Sequence, residues 1–173
     1  MRGLGMDYDV IAALQPVADV AAGANTGFRI HARNYANLGF FFYKAPASAG
    51  TDTVAIVLQE HNANTGGTSQ NLAAITDFYT KTGASTNLAG TEAWVENTQA
   101  ASATLSLAGA TYAAKGLLVG FEIQASSLSA GFEWLSVNIA DPGSGGTIPG
   151  ALFVVGSDLQ VQRNPALLAQ PNA

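Results

Sequence analysis

Along most of this chain apolar and polar residues alternate with a period of two, in short runs separated by Gly, Asn, Ser and Asp. That is the pattern of strands burying one face. Phe28, Ile30 and Ala32 alternate with Arg29, His31 and Arg33, predicting a half-buried strand with one apolar and one basic face. Leu38 to Tyr43 is nearly continuous aromatic. It fits a central strand covered on both faces, or one whose second face meets a partner. Thr53 to His61 puts Val54, Ile56 and Leu58 on one face and Ala55, Val57 and Gln59 on the other. Turn-rich Ala45–Asp52 precedes it, and Asn62–Gln70 follows as a polar loop whose Gly66-Gly67 pair permits positive φ.

Further on, Asp77–Thr80 and Thr91–Glu96, with Trp94 central, read as strands, while Ala100–Ala114 fits a strand pair or an irregular crossover. Leu117–Gln124 and Trp134–Ile139 alternate cleanly and predict a hairpin turning at Ala125–Gly131. After the breaker cluster Asp141–Gly146, Gly150–Val155 and Leu159–Gln162 form the last strand or strand pair. No helical stripe of useful length and no fixed repeat is present. The expectation is an all-β fold, a β-sandwich or jelly roll of roughly eight or more short antiparallel strands. Residues 10–162 form the single domain, with an N-terminal arm at 1–9 and a C-terminal tail at 163–173.

Composition changes that picture in one respect. Charged residues are 11 % of the chain, against about 25 % in ordinary soluble domains. The polar surface must therefore come from Thr, Ser, Asn and Gln. Charge keeps a monomer soluble and its strand edges unpaired, so a charge-poor β protein suits a surface covered by neighbours; a neutral secreted-type surface is the plainer alternative. Net charge is -5 and no Lys/Arg cluster exists, which disfavours direct nucleic-acid binding. Without cysteine there is neither a disulfide frame nor a thiolate metal site, compatible with cytoplasmic assembly. No signal-peptide pattern and no membrane-length apolar run is found, predicting a soluble, unprocessed protein with no membrane contact.

Chemistry is sparsely signalled. His31 and His61 lack companions at metal-ligand spacing, and Glu60 falls on the opposite strand face from His61. Gly143-Ser144-Gly145 reads as a turn, not a nucleophile elbow, and no phosphate or dinucleotide loop occurs. Carboxylate pairs such as Glu92 with Glu96, or Glu122 with Glu133, could share a strand face as glycoside hydrolysis requires, and solvated strand faces explain them as well. Phe40, Phe41, Phe42, Trp94 and Trp134 suit a sugar-stacking platform less well than a core or subunit interface. The expectation is a non-enzyme with no catalytic residues, metal or cofactor. Its partner interface is expected at Phe40, Phe42, Trp94, Asn64, Thr65, Arg163, Pro165 and Leu167, and the segments 1–9, 62–70 and 164–173 are candidate contact segments.

From Val10 to Gln162 the segments VIAALQPVADVAAGANTG, NYANLGFFFYKAPASAGTDTVAIVLQEHNANTGGT, DFYTKTGA and GFEWLSVNIADPGSGGTIPGALFVVGSDLQ resemble a loosely defined group of tailed-bacteriophage virion proteins encoded among head genes. The ending Gln162-Arg163-Asn164-Pro165 departs from the aromatic or basic ending that the group suggests. The resemblance implies a capsid decoration or cement subunit, assembled in the host cytoplasm and located on the virion. Its partners would be copies of itself, closed into rings or trimers, and the major capsid protein or other virion subunits. A carbohydrate-binding β-sandwich for host-surface recognition is the alternative.

Overall fold

The structure, a computed structural model, describes residues 8–49, 52–83, 87–143 and 146–159. In chain order its strands are β1 (Tyr8–Val17), β2 (Ile30–His31), β3 (Tyr35–Lys44), β4 (Val54–His61), β5 (Ser69–Asn71), β6 (Ile75–Thr82), β7 (Val95–Ser102), β8 (Thr104–Leu107), β9 (Leu117–Gln124), β10 (Trp134–Ile139) and β11 (Gly150–Leu159). One helical turn, α1 (Gly109–Tyr112), lies between β8 and β9. All strand pairs are antiparallel. They make a six-stranded sheet, β1-β11-β3-β9-β6-β7, and a five-stranded sheet in which β2 and β10 lead to β4, whose far side pairs β5 at one end and β8 at the other. The protein is an all-β sandwich.

Period-two alternation becomes a core because each strand turns one face inward. Leu38, Phe40 and Phe42 of β3, Leu117, Val119, Phe121 and Ile123 of β9, and Leu152 and Val154 of β11 supply the six-stranded side. Ile56 and Leu58 of β4 with Leu135, Val137 and Ile139 of β10 supply the other. β1 is fastened by a tyrosine that crosses its neighbour. From β3, the buried Tyr35 ring passes over Gly156 of β11 and donates its hydroxyl hydrogen to Asp9 Oδ2 of β1 at 2.5 Å. A Cβ on residue 156 would sit 2.3 Å from that ring, so the glycine is what lets it cross.

The structure redraws several sequence expectations. The strand expected at 28–33 is only Ile30–His31, because Ala32–Asn34 make a 3-10 turn that swings the chain from the five-stranded sheet into β3. The expected hairpin of β9 and β10 is a crossing between sheets. Each strand has a wholly apolar inner face, and placing them opposite one another buries both faces as well as side-by-side pairing would. The strand expected over Thr91–Glu96 begins four residues later, at Val95, and runs to Ser102, because Glu92 holds the preceding loop by accepting the backbone N–H groups of Ala89 (2.6 Å) and Gly90 (2.9 Å). Tyr8 and Asp9, assigned to an arm, belong to β1. The final strand runs unbroken from Gly150 to Leu159; Gln160–Gln162 lie outside the described residues.

Candidate functional site

β3 explains why the site lies where it does. Its even positions Leu38, Phe40 and Phe42 fill the core, so Phe40 and Phe42 are fully buried and unavailable to a partner. Both were expected at the interface. The pleat turns Phe41 and Tyr43 the other way, so that they face away from the sandwich.

On this outer face, strand register lines up residues across the sheet. One row crosses all six strands as Ala12, Phe153, Phe41, Gly120, Tyr79 and Glu96. On one side runs Val10, Val155, Gly39 and Glu122. On the other lie Ala151, Tyr43, Leu118 and Lys81. The rings of Phe41 and Phe153 stack at 5.4 Å and 17°. Tyr8, Val10, Tyr43, Tyr79, Trp94 and Phe153 all remain exposed. Apolar and aromatic groups thus form a continuous band on one side of the molecule, with charge confined to its margins.

Two residues without side chains, Gly39 and Gly120, flank Phe41 and open a recess of about 330 Å³ walled by Tyr79 and Trp94, with Glu122 at its rim. Trp94, expected at an interface, stands here at 43 % exposure. Lys81 Nζ lies 4.9 Å from the centroid of its ring, a cation–π contact. The Tyr79 hydroxyl approaches Glu96 Oε1 at 3.4 Å, and the carboxylate raises the phenol's pKa.

Asn64 and Thr65 occupy the β4–β5 loop. Arg29 pins it by donating from Nη1 to the carbonyls of Ala63 and Gly66, each at 2.7 Å, and Asn62 Oδ1 accepts the Thr68 N–H at 2.8 Å. Asn64 Oδ1 is buried without a hydrogen-bond partner among the described residues. This loop extends from the five-stranded sheet, so the structure does not unite it with the aromatic band. Arg163, Pro165 and Leu167 lie outside the described residues.

The five-stranded sheet carries a row that sequence spacing did not reveal: His31, Trp134, His61 and Ser69 are register partners across four strands. His31 packs against Trp134 with ring centroids 4.7 Å apart. The His61 ring nitrogens meet hydroxyls on both sides, Ser69 Oγ at 2.6 Å from Nδ1 and Ser136 Oγ at 2.8 Å from Nε2. Burial, reinforced by the Arg29 charge and only partly opposed by Glu60, pushes the imidazole pKa down to about 4. An imidazole so acidic is a weak general base at neutral pH. Glu60, on the other strand face, is fully buried. Burial works to raise its pKa, but hydrogen bonds from Ser129 and Gln70 outweigh it and hold the carboxyl below its ordinary range.

The members of each carboxylate pair have different partners. Glu92 is committed to its loop, whereas Glu96 sits on β7 beside Tyr79. Glu122 faces outward from the six-stranded sheet, whereas Glu133 precedes β10 in the other sheet and pairs with Arg33 (3.1 Å) and His31 (3.5 Å). Lys44 is a group the sequence reading passed over. It is buried at the end of β3, donating to the carbonyls of Ala45, Ala113 and Lys115, and desolvation lowers its pKa to about 8.

No protein-family model matches the chain, and no curated protein matches it. Among solved structures it is partly similar to infectious bursal disease virus, Gt strain, at 12% identity over 92% of this chain and 43% of that chain, TM-score 0.25. For the Gx strain the values are 10%, 92%, 43% and 0.23. For T=1 particles derived from infectious bursal virus they are 9%, 95%, 42% and 0.18. The chain spans less than half the length of these solved chains. Scores of this size establish neither a common fold nor a common function.

Proposed function

We propose that the chain is a non-enzymatic structural subunit of a bacteriophage virion, most specifically a capsid decoration subunit that binds the outer head surface and bridges capsomers. The observation that carries this reading is the aromatic band on the outer face of the six-stranded sheet. Tyr43, Phe153, Phe41, Tyr79 and Trp94 offer the large amphipathic area that well-packed protein interfaces favour. The low charge of the chain and its resemblance to phage head-gene products support the same reading. The mechanism is mechanical: many copies, each with a modest contact, tie neighbouring capsomers together through multivalency.

The test mixes purified chain with heads of the parent phage assembled without it. Co-sedimentation at a fixed ratio and a higher temperature of shell rupture are expected. Replacing Tyr43 and Phe153 together by Ser should weaken binding about tenfold or more, the loss of one good aromatic anchor. Heads that neither bind the chain nor gain stability from it would refute the reading.

A second reading, a carbohydrate-binding module, is favoured by the recess alone, where Tyr79, Trp94 and Phe41 surround a glycine floor beside Glu122. Glycan titration that shifts Trp fluorescence, with the shift lost in Trp94→Ala, would support it; a flat response across a glycan panel would remove it.

A further inference from the structure

We propose that the recess over Gly120 is a binding site for a trimethylammonium group, the cationic head of choline and its conjugates. The site goes beyond the virion reading and does not rest on it.

Strand register builds aromatic walls around one glycine. Gly120 of β9 has Phe41 as its partner on β3 and Tyr79 as its partner on β6. Trp94, from the loop before β7, reaches the same point: a Cβ on residue 120 would stand 3.2 Å from Phe41 Cε1 and 3.7 Å from Trp94 Cη2. Phe153 braces Phe41 by stacking on it. Glu122, two residues along β9 on the same face, stands at the rim. Its register partner is Gly39, so no side chain opposes it, and it makes no hydrogen bond or ion pair among the described residues.

Aromatic faces attract cations through the ring quadrupole, more strongly where water is excluded. The indole of Trp94 already does so, drawing Lys81 Nζ to 4.9 Å from its centroid, although Lys81 does not line the recess. Surrounding charge acts in the same direction. Glu96 and Asp77 lie close enough to Tyr79 to raise its phenol pKa, and together with Glu122 they outnumber the Lys81 ammonium.

A shortage of hydrogen-bonding groups selects the kind of cation. Guanidinium and primary ammonium groups carry N–H donors, and a pyranose carries hydroxyls around its ring; burying these without partners is costly. Besides Glu122, the side chains of the recess offer only the Tyr79 hydroxyl, which is turned to Glu96 at 3.4 Å. A trimethylammonium group has charge but no donor, so ring faces and one carboxylate satisfy it. At about 330 Å³ the recess is at the small end of ligand sites, suited to such a head on a short stem.

The test titrates choline chloride into the chain carrying Trp134→Phe, which leaves Trp94 as its one indole. Its fluorescence should change with choline and not with sodium chloride at equal ionic strength. The neutral tert-butyl isostere of choline should bind at least about threefold more weakly, since it lacks the cation–π attraction. Glu122→Gln should weaken choline binding roughly three- to tenfold, and Tyr79→Leu, which keeps apolar bulk without a π face, by a similar factor. Lys81→Gln should tighten it by removing a repelling charge. Capture of the chain by phosphatidylcholine vesicles would assign the group to a membrane surface, and choline binding without capture to a soluble or polymer-borne conjugate; both support the site. An isostere that binds as tightly as choline, affinity indifferent to both Glu122→Gln and Lys81→Gln, or pyranoside binding with no response to choline would overturn the proposal. Head binding is measured separately, so failure here leaves the virion reading standing, and the reverse.

Discussion

Phe40, Phe41 and Phe42 share one side chain, and the pleat of β3 gives them different roles. Phe40 is fully buried and stacks on Phe121 at 5.1 Å, whereas Phe41 stacks on Phe153 at the solvent side. Phe40→Ala should cost about 3–5 kcal/mol through lost burial and the cavity left behind. Phe153→Ser, which empties no cavity, should fall within about 1 kcal/mol; urea unfolding of both variants measures the contrast. His61 gives the fold a pH dependence. Its folded pKa is depressed to about 4, so the unfolded chain binds the proton more tightly. The associated stability is fully present above the unfolded value near 6.5 and is lost as pH falls from there toward 4, up to about 3 kcal/mol. His61→Gln, which retains hydrogen-bonding capacity toward Ser69 and Ser136, should flatten the slope of unfolding free energy across that window. An unaltered slope would assign it to other groups.

Among the elements, β11 depends on what it lacks. Gly156 lets the Tyr35 ring reach Asp9, fastening the edge strand β1 to the centre of its sheet. Gly156→Ala should displace that ring, leave the buried Asp9 carboxylate without its donor and destabilise the chain by about 2–3 kcal/mol. The loss should be concentrated in β1, visible as faster amide exchange over Tyr8–Val17. β6 and β7 show the limits of local reading. The sequence pattern located Asp77–Thr80 within β6, but put Trp94 at the centre of a strand over Thr91–Glu96. Glu92 decides otherwise by capping backbone amides three and two residues behind it, a bond set by loop geometry that alternation does not register.

For the molecule as a whole, an acidic chain with few charges displays an aromatic band on one broad face. Its pI is about 4.7. As pH falls toward that value, charge repulsion vanishes while the band persists, so light scattering of a dilute sample should rise, and Tyr43→Lys with Phe153→Lys should suppress the rise. Scattering that rises equally in the doubly substituted chain would place the sticky surface elsewhere.

The sequence by itself determined that the chain is all-β, a sandwich or jelly roll, that β4, β9 and β10 are strands, and which of their residues share a face. Those properties are local: the pleat forces side chains to alternate, and water rejects the apolar set whatever lies opposite. Tertiary structure alone decided that β9 and β10 belong to different sheets, that Phe41, Tyr43, Phe153 and Tyr79 meet on one face, and that His31 and His61 share a row. Each depends on which strands become neighbours, and backbone hydrogen-bonding groups are the same in every strand. Choice of neighbour is made by the joint packing of both sheets, which period-two alternation does not encode.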